Sequence, residues 1–553
     1  MSSDRDPPNP PDPDRPVLIV RRAFVRVDGR EVHLRVVGAG PPALFIHSSP
    51  TNSGFVLTDM LAQAHRYTCI AFDTPGFGLS DPLPGATLSV ADLATATIAA
   101  MDALGLPPLP IFGTHSGAAI ALELGYLYPD RVTGLVLDAV PISTAEELAP
   151  FHANGYFAPL TIDRLGGHFA STWTRFRDQS RWYPWTDPSP QALNPHDLAT
   201  PELTHRWTEM FYAAADGYAP AYRAAACYGG GAIVAAANLA VPAVFMALTG
   251  DMLHSHLTRL PPLGVDQSVV DAGSDAARKQ ELTGEAFLRF GSAGVAPRFD
   301  LLVESSTTIQ RHVVMDGGRA QFVRTLGDRA NPALIVLHDV PGAGLMVEPA
   351  MTALAGAFFV IAPDLPGSGE SDPLTEDAPL SHYAQALARI CAALGVEQMT
   401  VRALGFSASL AVQMAADFPG LCTSLEIDGL FAPDADERAA LCAHYAPPIM
   451  IERDGAHWYR LWLMLRDTLV YWPWYDTRQR ALLRVEGDFG AARLHGWTVA
   501  VMQQHGSYHR LIQAILAQDA TAVLKNVGCH VTVLAPQSPV GHAYAGRIAA
   551  VAP

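Results

Sequence analysis

The side chains here whose types and spacing could support catalysis are histidine, serine and aspartate. His115 lies in Gly113-Thr114-His115-Ser116-Gly117, directly after the apolar run LPIF, and Asp251 follows another apolar run, VPAVFMALTG. An imidazole oriented by a carboxylate can take a proton from water or attack as a nucleophile. Ser407 lies in Gly405-Phe406-Ser407-Ala408-Ser409, and a serine without a base is only weakly nucleophilic. His168 and His457 recur in matching aromatic segments, where they could act as acid–base groups over a pocket or simply pack. His254 and His256 beside Asp251 give an H-x-H spacing that is weak alone, so no metal and no cofactor is expected.

These residues belong to a chain that repeats itself. IAFDTPGFGLSDPL (70–83) matches IAPDLPGSGESDPL (361–374), and LFIHSSP (44–50) matches IVLHDVP (335–341), placing His47 opposite His338. GGHFASTWTRFRDQSRWYPW (166–185) matches GAHWYRLWLMLRDTLVYWPW (455–474) without a gap. Matched segments in one order at nearly constant spacing predict a tandem duplication.

The elements that would position the site alternate strand and helix in each half. Short apolar runs such as PALFIH, YTCIAFD, ALIVLHD and FFVIAPD read as strands covered on both faces, with helix-compatible stretches between them. This predicts an α/β class fold of two mostly parallel, doubly wound sheets. Each half carries an aromatic-rich insertion that would form a helical cap, at about 142–238 and 431–525. The expected division is a disordered Pro/Asp-rich tail at 1–16, a first domain at 17–300 and a second at 301–553.

The His47 and His338 turns, the D-x-P-G-x-G-x-S-D segments and a strand–turn–helix elbow in each half resemble the α/β-hydrolase superfamily. The resemblance implies a nucleophile at the centre of G-x-Nuc-x-G, an acid after the seventh strand and a base histidine after the last. This chain departs from that pattern. His115 occupies the nucleophile position of the first half, Asp251 the acid position, and Ser274 stands where the base histidine would be. Oxyanion donors would lie near Ser48 and Ser116. In the second half Ser407 is central, with Ala408 after it, but only sixteen residues follow Gln537, too few for a further strand and closing helix, so the standard base is not expected in this half.

Composition narrows the partners. The net charge of −17 disfavours nucleic acid and anionic membranes. No apolar run approaches the roughly 18 residues of a spanning helix. Six scattered cysteines fit a reducing compartment, and a cytoplasmic location is expected. The expected function is an enzyme acting on a small apolar or aromatic ester, lactone or carbonyl compound through His115 and Asp251. The alternatives are a cofactor-independent lyase or isomerase, and a non-catalytic ligand-binding protein. The shortened second half would leave a sheet edge exposed, so close docking of the halves or a homodimer is expected to cover it.

Overall fold

The computed structural model describes residues 17–153, 155–214, 217–295, 297, 299 and 301–548; the tail expected at 1–16 lies outside the described residues. The first sheet contains β1 (Arg21–Val27), β2 (Arg30–Val37), β3 (Pro42–Ile46), β4 (Thr68–Phe72), β5 (Leu109–Thr114), β6 (Val132–Asp138), β7 (Ala243–Ala247) and β8 (Gln267–Asp271). Their spatial order is β1-β2-β4-β3-β5-β6-β7-β8. The second contains β9 (Ser306–Asp316), β10 (Arg319–Gly327), β11 (Ala333–Leu337), β12 (Phe359–Pro363), β13 (Met399–Ala403), β14 (Cys422–Ile427) and β15 (His530–Val533). Its order, β15-β14-β13-β11-β12-β10-β9, repeats the first without a counterpart of β8 among the described residues.

Local chemistry explains the elements. All five residues of β3 and of β4 are buried, as strands with helices on both faces require. The β1–β2 hairpin turns at Asp28-Gly29, both at positive φ (50° and 78°), which matches the twist of the strands it joins. Helix Val90–Ala103 starts in a capping box, with Ser89 and Asp92 satisfying each other's backbone N–H.

Between β6 and β7 the chain forms helices Ala145–Ala153, Gly167–Arg181, Pro201–Tyr212, Tyr218–Ala226 and Gly230–Ala237; helices Ala435–His444, Ala456–Thr468, Ala491–Met502, His509–Ala517 and Ala520–Leu524 lie between β14 and β15. The last helix of each set packs back on the helix after the elbow, and the middle helices of the two sets pack on each other.

One hydrophobic cluster runs through both halves. The hairpins meet through Phe24 and Phe322 (ring centroids 5.9 Å apart) and through Arg311, which holds Glu31 and Asp81 at 2.6 Å each. The inserted helices meet reciprocally: Gly166 and Gly455 are both left-handed, and a Cβ on either would strike Trp462 or Trp173 of the other half at 2.8 Å or 2.4 Å. Residue against matched residue is the pattern of a two-fold interface, here within one chain. Among the described residues no helix is long and apolar enough to cross a membrane.

Candidate active site

The first elbow is strained. β5 ends at Thr114 and helix Ser116–Leu127 starts at once, which forces His115 to φ 50°, ψ −117°. A non-glycine residue held there costs about 1–3 kcal/mol, so the surrounding packing must hold it. His115 N–H donates to the Asp138 carbonyl (2.9 Å), and the imidazole leans over the end of the sheet with Nε2 2.9 Å from Asp251 Oδ2. Asp251 follows β7, and its Oδ1 accepts the Leu253 N–H at 2.8 Å, which fixes the carboxylate.

Electrostatics follow from this pair. Burial alone would lower the His115 pKa, but the Asp251 charge and hydrogen bond outweigh it and hold the imidazole above its ordinary value. Burial pushes Asp251 up, and His115 overrides that, bringing it down to about 2. With Asp251 ionised, Nε2 carries a hydrogen towards it. Nδ1 is then the freer nitrogen, 3.5 Å from Thr114 Oγ1.

A cavity of about 350 Å³ opens above His115. Phe55, Phe151, Tyr156, Phe176, Tyr183 and Trp207 supply most of its apolar wall, and Gln179, Asn194 and His196 add polar groups. Ser48 and Ser116 both line it. The Ser48 carbonyl is spent on His47 Nδ1–H (2.9 Å) and Thr51, whereas the Ser49 N–H donates to Ser116 Oγ at 2.6 Å. Ser49 is thus the loop amide that meets the elbow. The Ser116 hydroxyl keeps its hydrogen to donate, and the Ser116 N–H, in the first turn of its helix, has no intrahelical acceptor.

Ser274 needs correction. It is exposed in the turn after β8 and does not line the cavity, because the chain turns outward there to start helix Ala276–Phe290, capped by Asp275. The residue of this region that approaches the elbow is Lys279. Its Nζ lies 3.1 Å from Asp138 Oδ2 and 3.5 Å from Asp59 Oδ1, and Asp138 Oδ2 also accepts Thr114 Oγ1–H at 3.0 Å. Burial would lower the Lys279 pKa, but the two carboxylates raise it. Sequence reasoning missed this buried triad; the helical position of Lys279, facing the sheet, is its only trace in the sequence.

The second elbow also needs correction. Strand pairing sets the register: Leu44 of β3 faces Ile111 and Ile335 of β11 faces Val401, so His115 matches Gly405, not Ser407. Gly405 takes the left-handed apex at φ 63°, and its N–H donates to Asp428 Oδ1 at 2.8 Å. Ser407 lies inside helix Ser407–Asp417, fully buried, with its hydroxyl donated to the Leu404 carbonyl at 2.8 Å. Ala408 is fully buried core one residue further on. Asp339 Oδ1 accepts the N–H of Phe406, the residue after the apex, at 2.8 Å. A Cβ on Gly405 would lie 2.1 Å from Asp339 Oδ2. Burial pushes the Asp339 carboxyl up to about 7.

The space corresponding to the first cavity is filled. Phe406 packs against Tyr445, Phe431 and Trp472 with centroids 5.0, 5.1 and 5.7 Å away, and Tyr544 closes on Trp472 at 5.8 Å. Among the described residues the Ser407 hydroxyl has no histidine or carboxylate partner.

His168 and His457 do not enter either pocket, which corrects their acid–base reading. His168 Nε2 lies 3.1 Å from His495 Nδ1, and His457 Nε2 lies 3.1 Å from His205 Nδ1. Each thereby joins the inserted helices of one half to those of the other. The Asp163 and Glu452 N–H groups donate to the Nδ1 atoms of His168 and His457, so the Nε2 atoms must be the donors to the partner rings. Burial lowers all four pKa values: to about 4 for His168 and His457, and about 3 for His495 and His205. His47 and His338 keep matched structural roles, accepting the N–H of Thr74 and Leu365 at 3.0 Å each.

Comparison with known proteins adds to this geometry. A family profile described as alpha/beta hydrolase fold matches residues 41–181 and 332–441. Haloalkane dehalogenase 2 of Mycobacterium tuberculosis is 32% identical over 118 residues, which cover 21% of this chain and 41% of that protein. The dihydrolipoyllysine-residue acetyltransferase component of the acetoin cleaving system of Cupriavidus necator is 30% identical over 135 residues, 24% of this chain and 35% of that protein. The matches thus span about two fifths or less of the length of these relatives. The solved epoxide hydrolase VrEH1 from Vigna radiata is 17% identical, covering 49% of this chain and 98% of that one, at a TM-score of 0.37.

Proposed function

Because the chain belongs to the α/β-hydrolase superfamily, we propose that its first half is a hydrolase that activates water through His115 and Asp251. The substrate class is a small apolar or aromatic ester, lactone or related carbonyl compound. One observation carries the reading: an imidazole at the apex of the elbow, 2.9 Å from a half-buried carboxylate, on the floor of an aromatic cavity.

The step balances without a covalent enzyme intermediate. His115 Nδ1 takes a proton from water while the resulting hydroxide attacks the carbonyl carbon. The oxyanion is met by the Ser116 N–H and hydroxyl at the start of the helix, where the backbone dipole also favours negative charge. As the intermediate collapses, the departing alkoxide receives the proton from the imidazolium, leaving acid and alcohol. Asp251 keeps the ring oriented and shares its positive charge. A serine route has less support, since Ser116 is one residue past the apex and is tied to the Ser49 N–H.

The test is turnover of chromogenic aryl esters and lactones by wild type, His115→Ala and Asp251→Asn. Removing a general base should cost about 100- to 10,000-fold. Because one relative is named a haloalkane dehalogenase, halide release from short haloalkanes is a parallel arm. Ester turnover that survives His115→Ala would overturn the mechanism. Halide release without ester turnover would overturn the substrate class.

A further inference from the structure

Arg175, in helix Gly167–Arg181, is half-buried and has no carboxylate partner among the described residues. Its guanidinium carbon lies over four rings: Phe211 at 4.6 Å, Trp185 at 5.4 Å, and Phe176 and Tyr218 at 5.5 Å each. Nη1 makes one long contact, 3.5 Å, to the Tyr218 hydroxyl. Nε and Nη2 are buried, and among the described residues neither has an acceptor. Those two atoms form the side-on fork that grips a carboxylate through two parallel hydrogen bonds. Arg324 shows the usual arrangement, spending its guanidinium on Asp364 at 2.6 Å and Glu348 at 2.8 Å. Aromatic rings offset the charge of Arg175 but accept none of its in-plane hydrogens.

The second half supplies an internal control. In the ungapped match of 166–185 to 455–474, Arg175 corresponds to Met464, so the packing of this helix does not call for a cation. Trp185 corresponds to Trp474, whose Nε1 donates to the Tyr445 carbonyl at 2.8 Å, whereas the buried Nε1 of Trp185 has no acceptor among the described residues. Arg175 and Trp185 line one groove of about 700 Å³, together with Leu160, Thr161 and Phe211. Asp163 and Asp178 border it too, but Asp163 is committed to the N–H groups of Leu165 and Gly167 at 2.9 Å each. At this spot the first half thus carries a cation and an unpaired indole donor where the second half has neither, beside an apolar wall.

We propose that this groove is a binding site for a carboxylate carried on an aromatic body, gripped side-on by Arg175 Nε and Nη2 with Trp185 Nε1 as a third donor. The site is distinct from the His115 cavity. The two share a wall, since Tyr156 lines the cavity and packs on Trp185 with centroids 5.8 Å apart. Occupancy of the groove therefore bears on one side of the cavity.

The test titrates benzoate into the full chain and reads tryptophan fluorescence and thermal shift. Wild type and His115→Ala should bind saturably with equal affinity, and benzyl alcohol should not bind. Arg175→Lys keeps the charge but loses the fork, and should weaken binding about tenfold or more. Arg175→Met, which installs the side chain of the matched position, should abolish binding while leaving the unfolding temperature near wild type. Absence of saturable benzoate binding to wild type, equal binding by Arg175→Met, or loss of binding in His115→Ala would each overturn the proposal. Because His115→Ala is expected to bind normally, failure here is separable from failure of the hydrolase reading.

Discussion

Asp339 Oδ1 accepts the backbone N–H of Phe406 at 2.8 Å, and Phe406 matches Ser116 of the first half, which lines a cavity. The amide that would stabilise an oxyanion is already bonded, and the apex above it is a glycine. The second half is therefore expected to be catalytically silent. Ser407→Ala should leave kcat/KM of any turned-over substrate within about twofold of wild type, since the serine hydroxyl is spent on the Leu404 carbonyl of the adjoining turn. A loss comparable to that of His115→Ala would show that Ser407 works.

Phe406 also fills the second pocket, which makes Ser116→Phe an informative transplant. The ring should occupy the roughly 350 Å³ cavity and remove the Ser116 hydroxyl. Turnover should fall to the level of His115→Ala while far-UV circular dichroism is unchanged. Retained turnover would place the substrate elsewhere.

The two elbows show how far the sequence could be read. The placement of His115 and Asp251 was legible because each follows a buried strand, and strand ends fix where the chain emerges. Gly405-Phe406-Ser407-Ala408-Ser409 misled because a motif counts residues from its glycine, whereas the fold counts from strand pairing, and Gly405 is itself the apex. The two mostly parallel sheets and the insertions followed from local apolar patterns, whereas the order of the strands within each sheet did not. The pairing of His168 with His495 lay beyond reach, because it is a tertiary contact across 327 positions that no local pattern encodes. Lys279 escaped for the same reason: its partners Asp59 and Asp138 come from distant elements.

Acid should loosen the contact between the halves. His168, His495, His205 and His457 are held neutral, with folded pKa values of about 3 to 4 against 6.5 when unfolded. Between those values the unfolded chain binds protons that the folded chain refuses, so stability is full above about pH 6.5 and falls as pH drops towards 4. Each histidine contributes a slope of up to about 1.4 kcal/mol per pH unit. Urea melts from pH 7 to 4.5 should show a shallower pH dependence in His495→Leu than in wild type. Equal slopes would contradict the buried, neutral pair.

Asp251→Asn should lower the His115 pKa, because burial then acts with much less opposition. An NMR titration of the His115 Cε1 resonance reads this directly, and the acid limb of the rate profile should move in the same direction. An unchanged His115 pKa would mean that the 2.9 Å contact carries no charge coupling.

The most direct test of the central claim follows kcat/KM of one turned-over ester against pH beside the NMR titration of His115 in the same protein. If His115 is the base, the rate should rise with pH through a single limb whose midpoint coincides with the measured His115 pKa, and His115→Ala should erase that limb along with the activity. A rate indifferent to pH across the His115 titration, or a limb that persists in His115→Ala, would contradict it.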